Sequence, residues 1–211
     1  METLTNGSSR ARAENRIRKM LMKKPYSVKT YRAIDLTLFS LILFVFESVI
    51  VRVSSSPIFR DQAFSVSLAA AVTTIVFFRW GYWGGIHAAL SGVVWCVMGG
   101  GTWTQMIVYV VGNHFSLFAV PLIRRTGPDR ILSGKWIYLA FGLGTILLMQ
   151  FGRAAVAVVF GVSLTEAFRF FTTDSLSVVF TLVILWIAHR LDGMCEDQRR
   201  YLKRISHETE E

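Results

Sequence analysis

Six apolar stretches, separated by connections of unequal basic charge, constrain the fold of this chain more than any other feature. A membrane-spanning helix needs about 20 mainly apolar residues, so the first, fourth and fifth stretches can each span a bilayer. The second and third are short and flank the turn RWGY at 79–82, which predicts two helices joined by a tight hairpin. The six stretches cover residues 34–51, 62–78, 83–98, 104–123, 136–160 and 174–190.

The basic residues predict the orientation. Nineteen of the 23 lysines and arginines lie in four segments: the tail before residue 34, the turn 79–82, the loop 124–135 and the chain from Arg190 onward. Basic segments stay on the cytoplasmic side, and these four share one side only if all six stretches cross the membrane. We therefore expect an all-α integral membrane protein with six transmembrane helices and both termini cytoplasmic. It would be a multi-pass protein of a prokaryotic cell membrane.

Three regions follow from this pattern. Residues 1–33 form a basic cytoplasmic tail, 34–190 a six-helix membrane domain and 191–211 a charged cytoplasmic tail. The six helices and their loops use almost all of the 211 residues, which leaves no room for a soluble enzyme domain. The net charge of +9 would suggest nucleic acid as the partner of a soluble protein. Here it reflects topology and attraction of the basic tail to membrane lipid, so we expect no nucleic acid partner.

Small residues recur at helical spacing in the second and third stretches. Ala70 lies in an alanine run, and Gly84, Ala88 and Gly92 follow at intervals of four. Such stripes let helix backbones approach closely in lipid, so they predict either packing within this chain or a docking face for another membrane protein. The loop 161–173 is amphipathic and aromatic, which predicts a short helix in the membrane interface.

Two charged residues lie away from the ends of the predicted spans. Glu47 precedes the outer end of the first helix, and Arg153 lies at a similar depth in the fifth. A charge within the membrane is costly unless it is paired or faces water. The two residues therefore form either a buried salt bridge or part of an outward-facing pocket.

Further polar and aromatic residues share this outer half. Gln105, Tyr109 and Asn113 repeat every four residues along one face of the fourth helix. Gln150 lies on the same face as Arg153, and two tryptophans offer flat surfaces for stacking or serve as membrane anchors. Together they predict an outward-open cavity for a small, partly planar solute. The tryptophans are Trp95 and Trp103.

The histidines and cysteines give weaker indications of function than the charged cluster. His87 and His114 differ in depth by roughly 8–10 Å of helical rise, so we expect packing histidines and no shared metal. Cys96 and Cys195 belong to opposite ends of the bundle, which predicts no disulfide between them. No catalytic or nucleotide-binding motif is present in the sequence. We therefore predict neither an enzyme nor a resident cofactor, and any uphill transport would need a partner or an ion gradient.

Two segments carry a resemblance to a known family. RWGYWGGIHAALSGVVW and GGGTWTQMIVYVVGN resemble the third helix, and the outer hairpin with the polar fourth helix, of the substrate-binding S components of energy-coupling-factor (ECF) transporters. The resemblance covers residues 34 to about 190 in size, helix number and termini. It implies an S component that binds a vitamin-like small molecule from outside. It also implies a transmembrane subunit and two cytoplasmic ATPases as partners, with toppling of the subunit to release its cargo.

The resemblance also implies roles for individual residues. The first outer loop would supply a lid, which comprises Arg52, Arg60 and Asp61. The substrate would be contacted or flanked by Glu47, Trp95, Trp103, Gln105, Tyr109, Asn113, Gln150, Arg153 and Glu166. Members often carry an Ala-x-x-x-Ala docking pattern in the first helix, where this chain has Ser40, Phe44 and Ser48 instead. Docking on the transmembrane subunit would use those serines or Ala70, Gly84, Ala88 and Gly92.

Three other functions compete with this one. A membrane enzyme or haem-binding electron-transfer protein would use His87, His114 and the pair Glu47 and Arg153, and would show a chromophore or a metal. An accessory or assembly subunit without a ligand would use its small-residue stripes to bind another membrane protein. Another kind of small transporter is the third alternative.

Overall fold

The chain forms a bundle of α-helices in a computed structural model that describes residues 27–54, 66–191 and 193–208. These residues contain no strand. Short 3₁₀ turns occupy Gly81–Trp83 and Phe115–Phe118. The helices are α1 (Val28–Ser54), α2 (Ala69–Trp80), α3 (Gly84–Gly99), α4 (Trp103–His114), α5 (Ala119–Thr126), α6 (Pro128–Ser133), α7 (Lys135–Val159), α8 (Leu164–Ala167), α9 (Arg169–Thr173), α10 (Ser175–Arg190) and α11 (Gln198–Glu208).

Four helical segments are long and apolar enough to cross a membrane. They coincide with the first, fourth, fifth and sixth predicted stretches. A run of about 20 apolar residues in a helix matches the hydrocarbon thickness of a bilayer. The chain is therefore an all-helical membrane protein over its described residues. The four segments are Val28–Ser54, Trp103–Thr126, Lys135–Val159 and Leu164–Arg190.

The second predicted stretch forms a shorter helix than we expected, whereas the third has the predicted length. Helix α2 has 12 residues and α3 has 16, which at 1.5 Å per residue gives lengths of about 18 and 24 Å. Every residue of α2 is buried. Because other parts of the chain cover all of its residues, α2 lies inside the bundle. The predicted tight hairpin is confirmed, because Gly81 turns the chain with a φ of +63°.

Helices α1 and α2 run antiparallel. Asp35 in the first part of α1 contacts Arg79 at the end of α2, while Glu47, twelve residues later, contacts Leu68 at the start of α2. Helices α7 and α10 are also antiparallel. Tyr138 lies against His189 and Arg153 against Asp174. Since the order of contacts reverses along each pair, the chain travels up and down the bundle.

This arrangement gives the bundle two chemically distinct ends. The basic end contains the contacts of Asp35 with Arg79 and of Tyr138 with His189. The distal end contains Glu47, Leu68, Arg153 and Asp174. Three of the predicted basic segments meet at the basic end: Arg79 contacts the carbonyl groups of Gly193 and Met194, and Asp129 pairs with Arg200. Charge therefore identifies which ends of the helices lie together.

The connecting segments are also helical or tightly turned. Gly100 adopts a left-handed conformation with φ of +68° in the short turn between α3 and α4, as its glycine-rich sequence predicts. The loop 161–173 forms the predicted short helical structure, as α8 and α9. The segment that follows residue 191, predicted to be a charged tail, contacts the bundle. Its first described part is hydrogen-bonded to the bundle through Arg79 Nη1, which donates to Gly193 O at 2.9 Å and to Met194 O at 2.8 Å.

Candidate functional site

A buried ion pair at the distal end is centred on Arg153 of α7. Its Nη1 atom donates a hydrogen bond to Asp174 Oδ2 at 2.6 Å, and its Nε atom donates to Asn113 Oδ1 at 2.7 Å. Arg153 and Asp174 are each 7% exposed. Because an unpaired charge in a bilayer is costly, the Asp174 carboxylate compensates the guanidinium. The same bonds join three helices, α4, α7 and the start of α10.

Aromatic rings lie directly against this ion pair. The guanidinium carbon of Arg153 is 4.9 Å from the centroid of the Tyr109 ring. The rings of Tyr109 and Trp95 are stacked, with centroids 4.4 Å apart and planes inclined by 25°. Phe170 of α9 approaches the Tyr109 ring edge-on at 5.9 Å. These contacts hold the cation and the rings in a fixed orientation.

Asn113 fixes the geometry of the cluster. Its Oδ1 atom accepts from Arg153, and its Nδ2 atom donates to Ala88 O and Ser91 Oγ of α3, both at 3.0 Å. The side chain is 1% exposed. Since both ends of the amide are engaged, Asn113 connects α3 to Arg153. Asn113 was predicted to contact or flank the solute. In the structure it holds the guanidinium of Arg153 in place.

Among the described residues predicted to contact or flank the substrate, Gln150 alone has a buried donor without a hydrogen-bond partner. It lies one helical turn before Arg153 on α7 and is 1% exposed. Its Nε2 atom has no hydrogen-bond partner among the described residues. A buried donor without an acceptor costs about 1–3 kcal/mol. Its amide therefore requires a water molecule or a ligand atom as acceptor.

Glu47 has a different partner from the one considered first. Its Oε1 atom accepts from Ser67 Oγ and from the backbone N–H of Leu68, both at 2.7 Å. The carboxylate thus satisfies the N-terminal end of α2, where a negative charge is favourable. Glu47 is 1% exposed. The proposed direct salt bridge between Glu47 and Arg153 is wrong, because each residue is hydrogen-bonded elsewhere.

Three predicted site residues lie at the surface, outside the cluster. Trp103 is 78% exposed. Gln105 forms a capping box with Thr102, whose backbone N–H donates to Gln105 Oε1 at 2.8 Å. Glu166 lies near Ser163 at the start of α8, where Ser163 Oγ donates to Glu166 Oε2 at 3.2 Å. Both polar side chains therefore stabilise helix ends.

The predicted lid is only partly described. Arg52 is exposed near the end of α1. Arg60 and Asp61 lie outside the described residues.

The small residues predicted to dock a partner are packed within this chain. Gly92 lies so close to α4 that an added Cβ would be 2.9 Å from the backbone of Tyr109. Gly84 faces Phe77 of α2. Ser40 is half-buried and lies 3.3 Å from His87 Nε2. The remaining members of the stripes are buried as well: Ser48, Ala70 and Ala88. The packing alternative therefore accounts for these residues, whereas Phe44 is 45% exposed.

The two histidines make separate contacts. His87 Nε2 lies 3.2 Å from Leu36 O, and His114 Nδ1 lies 2.7 Å from Val110 O. No group of three or more His, Cys, Asp or Glu side chains in the described part of the chain could hold a metal ion.

A second buried ion pair, at the basic end, was missed in the sequence. Arg79 Nη2 donates to Asp35 Oδ1 at 2.7 Å, and Arg79 Nε donates to Asp35 Oδ2 at 2.9 Å. Trp80 Nε1 also donates to Asp35 Oδ2, at 2.6 Å. The signal was available, because Asp35 stands at the start of one apolar stretch and Arg79 at the end of the next. An antiparallel hairpin places those positions at one depth.

Asp174 was also missed as a member of the site. It is the first residue of the sixth predicted stretch, 174–190, and was not considered among the charges inside the membrane. The signal was its charge, opposite to that of Arg153, at the same end of the bundle.

No protein-family model, curated protein or solved structure matches this chain.

Proposed function

We propose that this chain is the membrane-embedded, substrate-binding subunit of an ECF-type uptake transporter. The observation that carries the proposal is the cluster of Arg153, Asp174 and Asn113 beside the stacked rings of Trp95 and Tyr109. Burying polar and charged groups in an apolar bundle costs free energy. In membrane proteins such groups mark binding sites or pathways. Its cargo would be a vitamin-like small molecule with a planar part.

The chemistry of the cluster supports a planar ligand with oxygen acceptors. In this proposal the ligand stacks on the half-buried Trp95 ring and lies beside the guanidinium of Arg153. The unpartnered amide of Gln150 supplies a donor one turn away. In this proposal the ligand contacts Arg153, Tyr109, Trp95 and Gln150, while Asn113 and Glu47 hold the framework. Arg52, Arg60 and Asp61 would belong to the lid.

The proposed orientation places the basic end in the cytoplasm and the distal end outside. All six helical segments, including α2 and α3, would then cross between the two sides, and both termini would be cytoplasmic. The support is the meeting of three basic segments at one end, which the positive-inside rule assigns to the cytoplasm. The test uses a reporter protein that is active only in the cytoplasm. Fused after residue 211, it should be active. The same reporter inserted at residues 161–163 should be inactive.

Energy for uptake would come from partners. The sequence has no phosphate-binding glycine loop, so a separate transmembrane subunit and two cytoplasmic ATPases would drive release of the cargo. Purification of the tagged chain from its own cells in mild detergent tests this point. Recovery of a membrane subunit with ATPases supports the proposal. Recovery of the chain alone, in a detergent that preserves such complexes, contradicts it.

One observation favours a second function, that of an accessory subunit without a ligand. The charges of the cluster are already satisfied inside the chain, since Arg153 pairs with Asp174 and Glu47 with the start of α2. Such a network could be purely structural.

The substitution Gln150→Met separates the two functions. Methionine keeps the volume and removes the unpartnered amide, so the empty protein should be as stable as the wild type or more stable. A binding subunit should nevertheless lose its cargo, measured as small molecules released on denaturation and identified by mass spectrometry. An accessory subunit should gain stability without any change in the released molecules. Leu147→Met, on the exposed face of the same helix, is the control.

A further inference from the structure

A small cleft at the basic end contains arginines that the proposed transport cycle does not use. It lies between the end of α2, the 3₁₀ turn, α5 and the start of α11, and encloses about 120 Å³. Pockets for whole drug-sized molecules are about 300 Å³ or larger, so this cleft holds one small polar group. Among the residues that line it are Arg79, Trp80, Gly81, Ile123, Arg124 and Arg199.

Arg124 is held in place by the turn beneath it. Its guanidinium carbon lies 4.8 Å from the centroid of the Tyr82 ring. Its Nη2 atom would be 3.1 Å from a Cβ at Gly81, so the absence of a side chain there leaves room for the guanidinium. A stacked arginine loses little further freedom when it binds, and its planar fork matches the oxygens of a phosphate.

Arg124 and Arg199 differ in charge balance from their neighbours. Arg200 pairs with Asp129 at 2.7 Å and Arg204 with Glu196 at 2.9 Å. Neither Arg124 nor Arg199 forms an ion pair with any acidic side chain in the described part of the chain.

Two other charged groups line the cleft. Arg79 is compensated by Asp35. The Asp197 Oδ1 atom accepts the backbone N–H groups of Arg199 and Arg200 at the start of α11. Arg124 and Arg199 thus contribute two positive charges to the cleft, and Asp197 contributes one negative charge. The cleft therefore carries a net positive charge.

The surroundings place this cleft at the level of lipid headgroups. Trp136 at the start of α7 is 74% exposed, and Trp186 near the end of α10 is 43% exposed. Lys135 and Arg190 lie over these rings, at 5.4 and 4.2 Å. Exposed tryptophans accompanied by basic residues mark a membrane–water interface. Both occupy the same end of the bundle as the cleft.

We infer that the cleft binds the phosphodiester group of an anionic phospholipid, with Arg124 and Arg199 as the ligands. The phosphate oxygens accept from the stacked Arg124 and from Arg199, while the acyl chains lie along the apolar exterior of the bundle. The shared chemistry is that of a phosphate oxyanion. Its position at the same end of the bundle as the exposed Trp136 and Trp186 assigns it to a lipid and not to free phosphate. This site is separate from the distal cluster and stands independently of the proposed transport function.

Native mass spectrometry of the full chain in neutral detergent tests the inference. The protein is titrated with phosphatidylglycerol, which carries a net negative charge, and with phosphatidylcholine, whose charge is balanced. The wild type should retain phosphatidylglycerol in preference. The double variant Arg124→Gln with Arg199→Gln should weaken that retention by about tenfold or more. The control, Arg200→Gln with Arg204→Gln, removes two arginines that are already compensated and should change retention less than about twofold.

Several results would overturn the site. They are equal losses in both double variants, equal retention of the two lipids, or equally effective competition by inorganic phosphate at the same concentration. Elution volume and melting temperature without lipid confirm that each variant is folded. Arg124→Lys provides a further check, because lysine keeps the charge and loses the stacked fork. It should bind phosphatidylglycerol more weakly than the wild type and more tightly than the double variant.

Discussion

Asp35 and Arg79 form a buried ion pair with two hydrogen bonds, of 2.7 and 2.9 Å, between the first part of α1 and the end of α2. The remaining terminal nitrogen of Arg79 donates to the backbone carbonyl groups of Gly193 and Met194. One side chain thus joins α1, α2 and the segment after α10. A group of this kind is a point at which a single substitution should loosen the whole basic end.

Replacing Arg79 with lysine should therefore destabilise the protein although the charge remains. An ammonium group cannot make the planar two-point contact with Asp35 and reach both carbonyl groups. We expect a loss of about 1–3 kcal/mol, seen as a lower melting temperature in detergent. Arg200→Lys changes an exposed pair with Asp129 and should alter stability by less than about 0.5 kcal/mol. Equal effects of the two substitutions would contradict the structural role of Arg79.

The crossing of α4 and α7 makes a second prediction. A Cβ at Gly112 would lie 2.5 Å from Arg153 N, and one at Gly152 would meet the backbone oxygen of Gly112 and the Phe115 ring. Both substitutions to alanine should lower stability by about 1–3 kcal/mol, because backbone in two packed helices would have to separate. Gly152→Ala should be at least as destabilising as Gly112→Ala, since backbone is the nearest obstacle at both positions.

A matched control for this crossing lies on the same helix. Gly144 in α7 has no atom within 4 Å of the position that a Cβ would take. Alanine there should be neutral or slightly stabilising, because it has the higher helix propensity. Thermal unfolding in one detergent compares all three variants. A drop at Gly144 as large as at Gly112 would show that glycine matters for another reason than close approach.

The helices were predictable largely because apolar length and basic charge are recorded directly in the sequence. The hairpin at residues 79–82 and the turn at Gly100 carried the glycines that such turns require. Helix α2 was harder to delimit. An apolar sequence indicates that a helix is buried, but it does not distinguish burial in protein from burial in lipid. The 12 residues of α2 were therefore assigned to a longer membrane span.

The partners of the buried charges could not be predicted from depth alone. Arg153 has both Glu47 and Asp174 at its end of the bundle, and sequence spacing gives no preference between them. The choice depends on which helices are neighbours. Asp174 starts α10, which packs along α7, whereas Glu47 is taken by the start of α2. The sequence does not show which helices are neighbours in a bundle. Residues of the site could therefore be predicted more readily than the pairs that they form.

Glu47 should be needed for the start of α2. Glu47→Leu would leave the Leu68 N–H and the Ser67 hydroxyl without their acceptor, at a loss of about 1–3 kcal/mol. Glu47→Gln retains an acceptor oxygen and loses only the charge at the helix N-terminus, which is worth about 0.3–1 kcal/mol. Melting temperatures should therefore rank wild type, Gln and Leu in that order. If Gln and Leu were equally destabilising, the charge, and not the hydrogen bonds, would be the stabilising element.

Cys195 should react slowly with alkylating reagents near neutral pH, although a cleft of about 340 Å³ lies beside it. Burial raises the pKa of its thiol, despite the opposing effects of Tyr138 and Arg79, and only the thiolate is nucleophilic. Below the unfolded pKa the buried neutral thiol is compatible with folding. As the pH rises through the range between the unfolded and folded pKa values, the unfolded state loses its proton first and stability falls. In a Cys96→Ala background, iodoacetamide labelling of Cys195 should begin to rise at higher pH than labelling of an exposed thiol introduced by Ser133→Cys in a chain lacking Cys195. Labelling of both thiols with the same rate and the same pH profile would show that Cys195 is neither buried nor shifted.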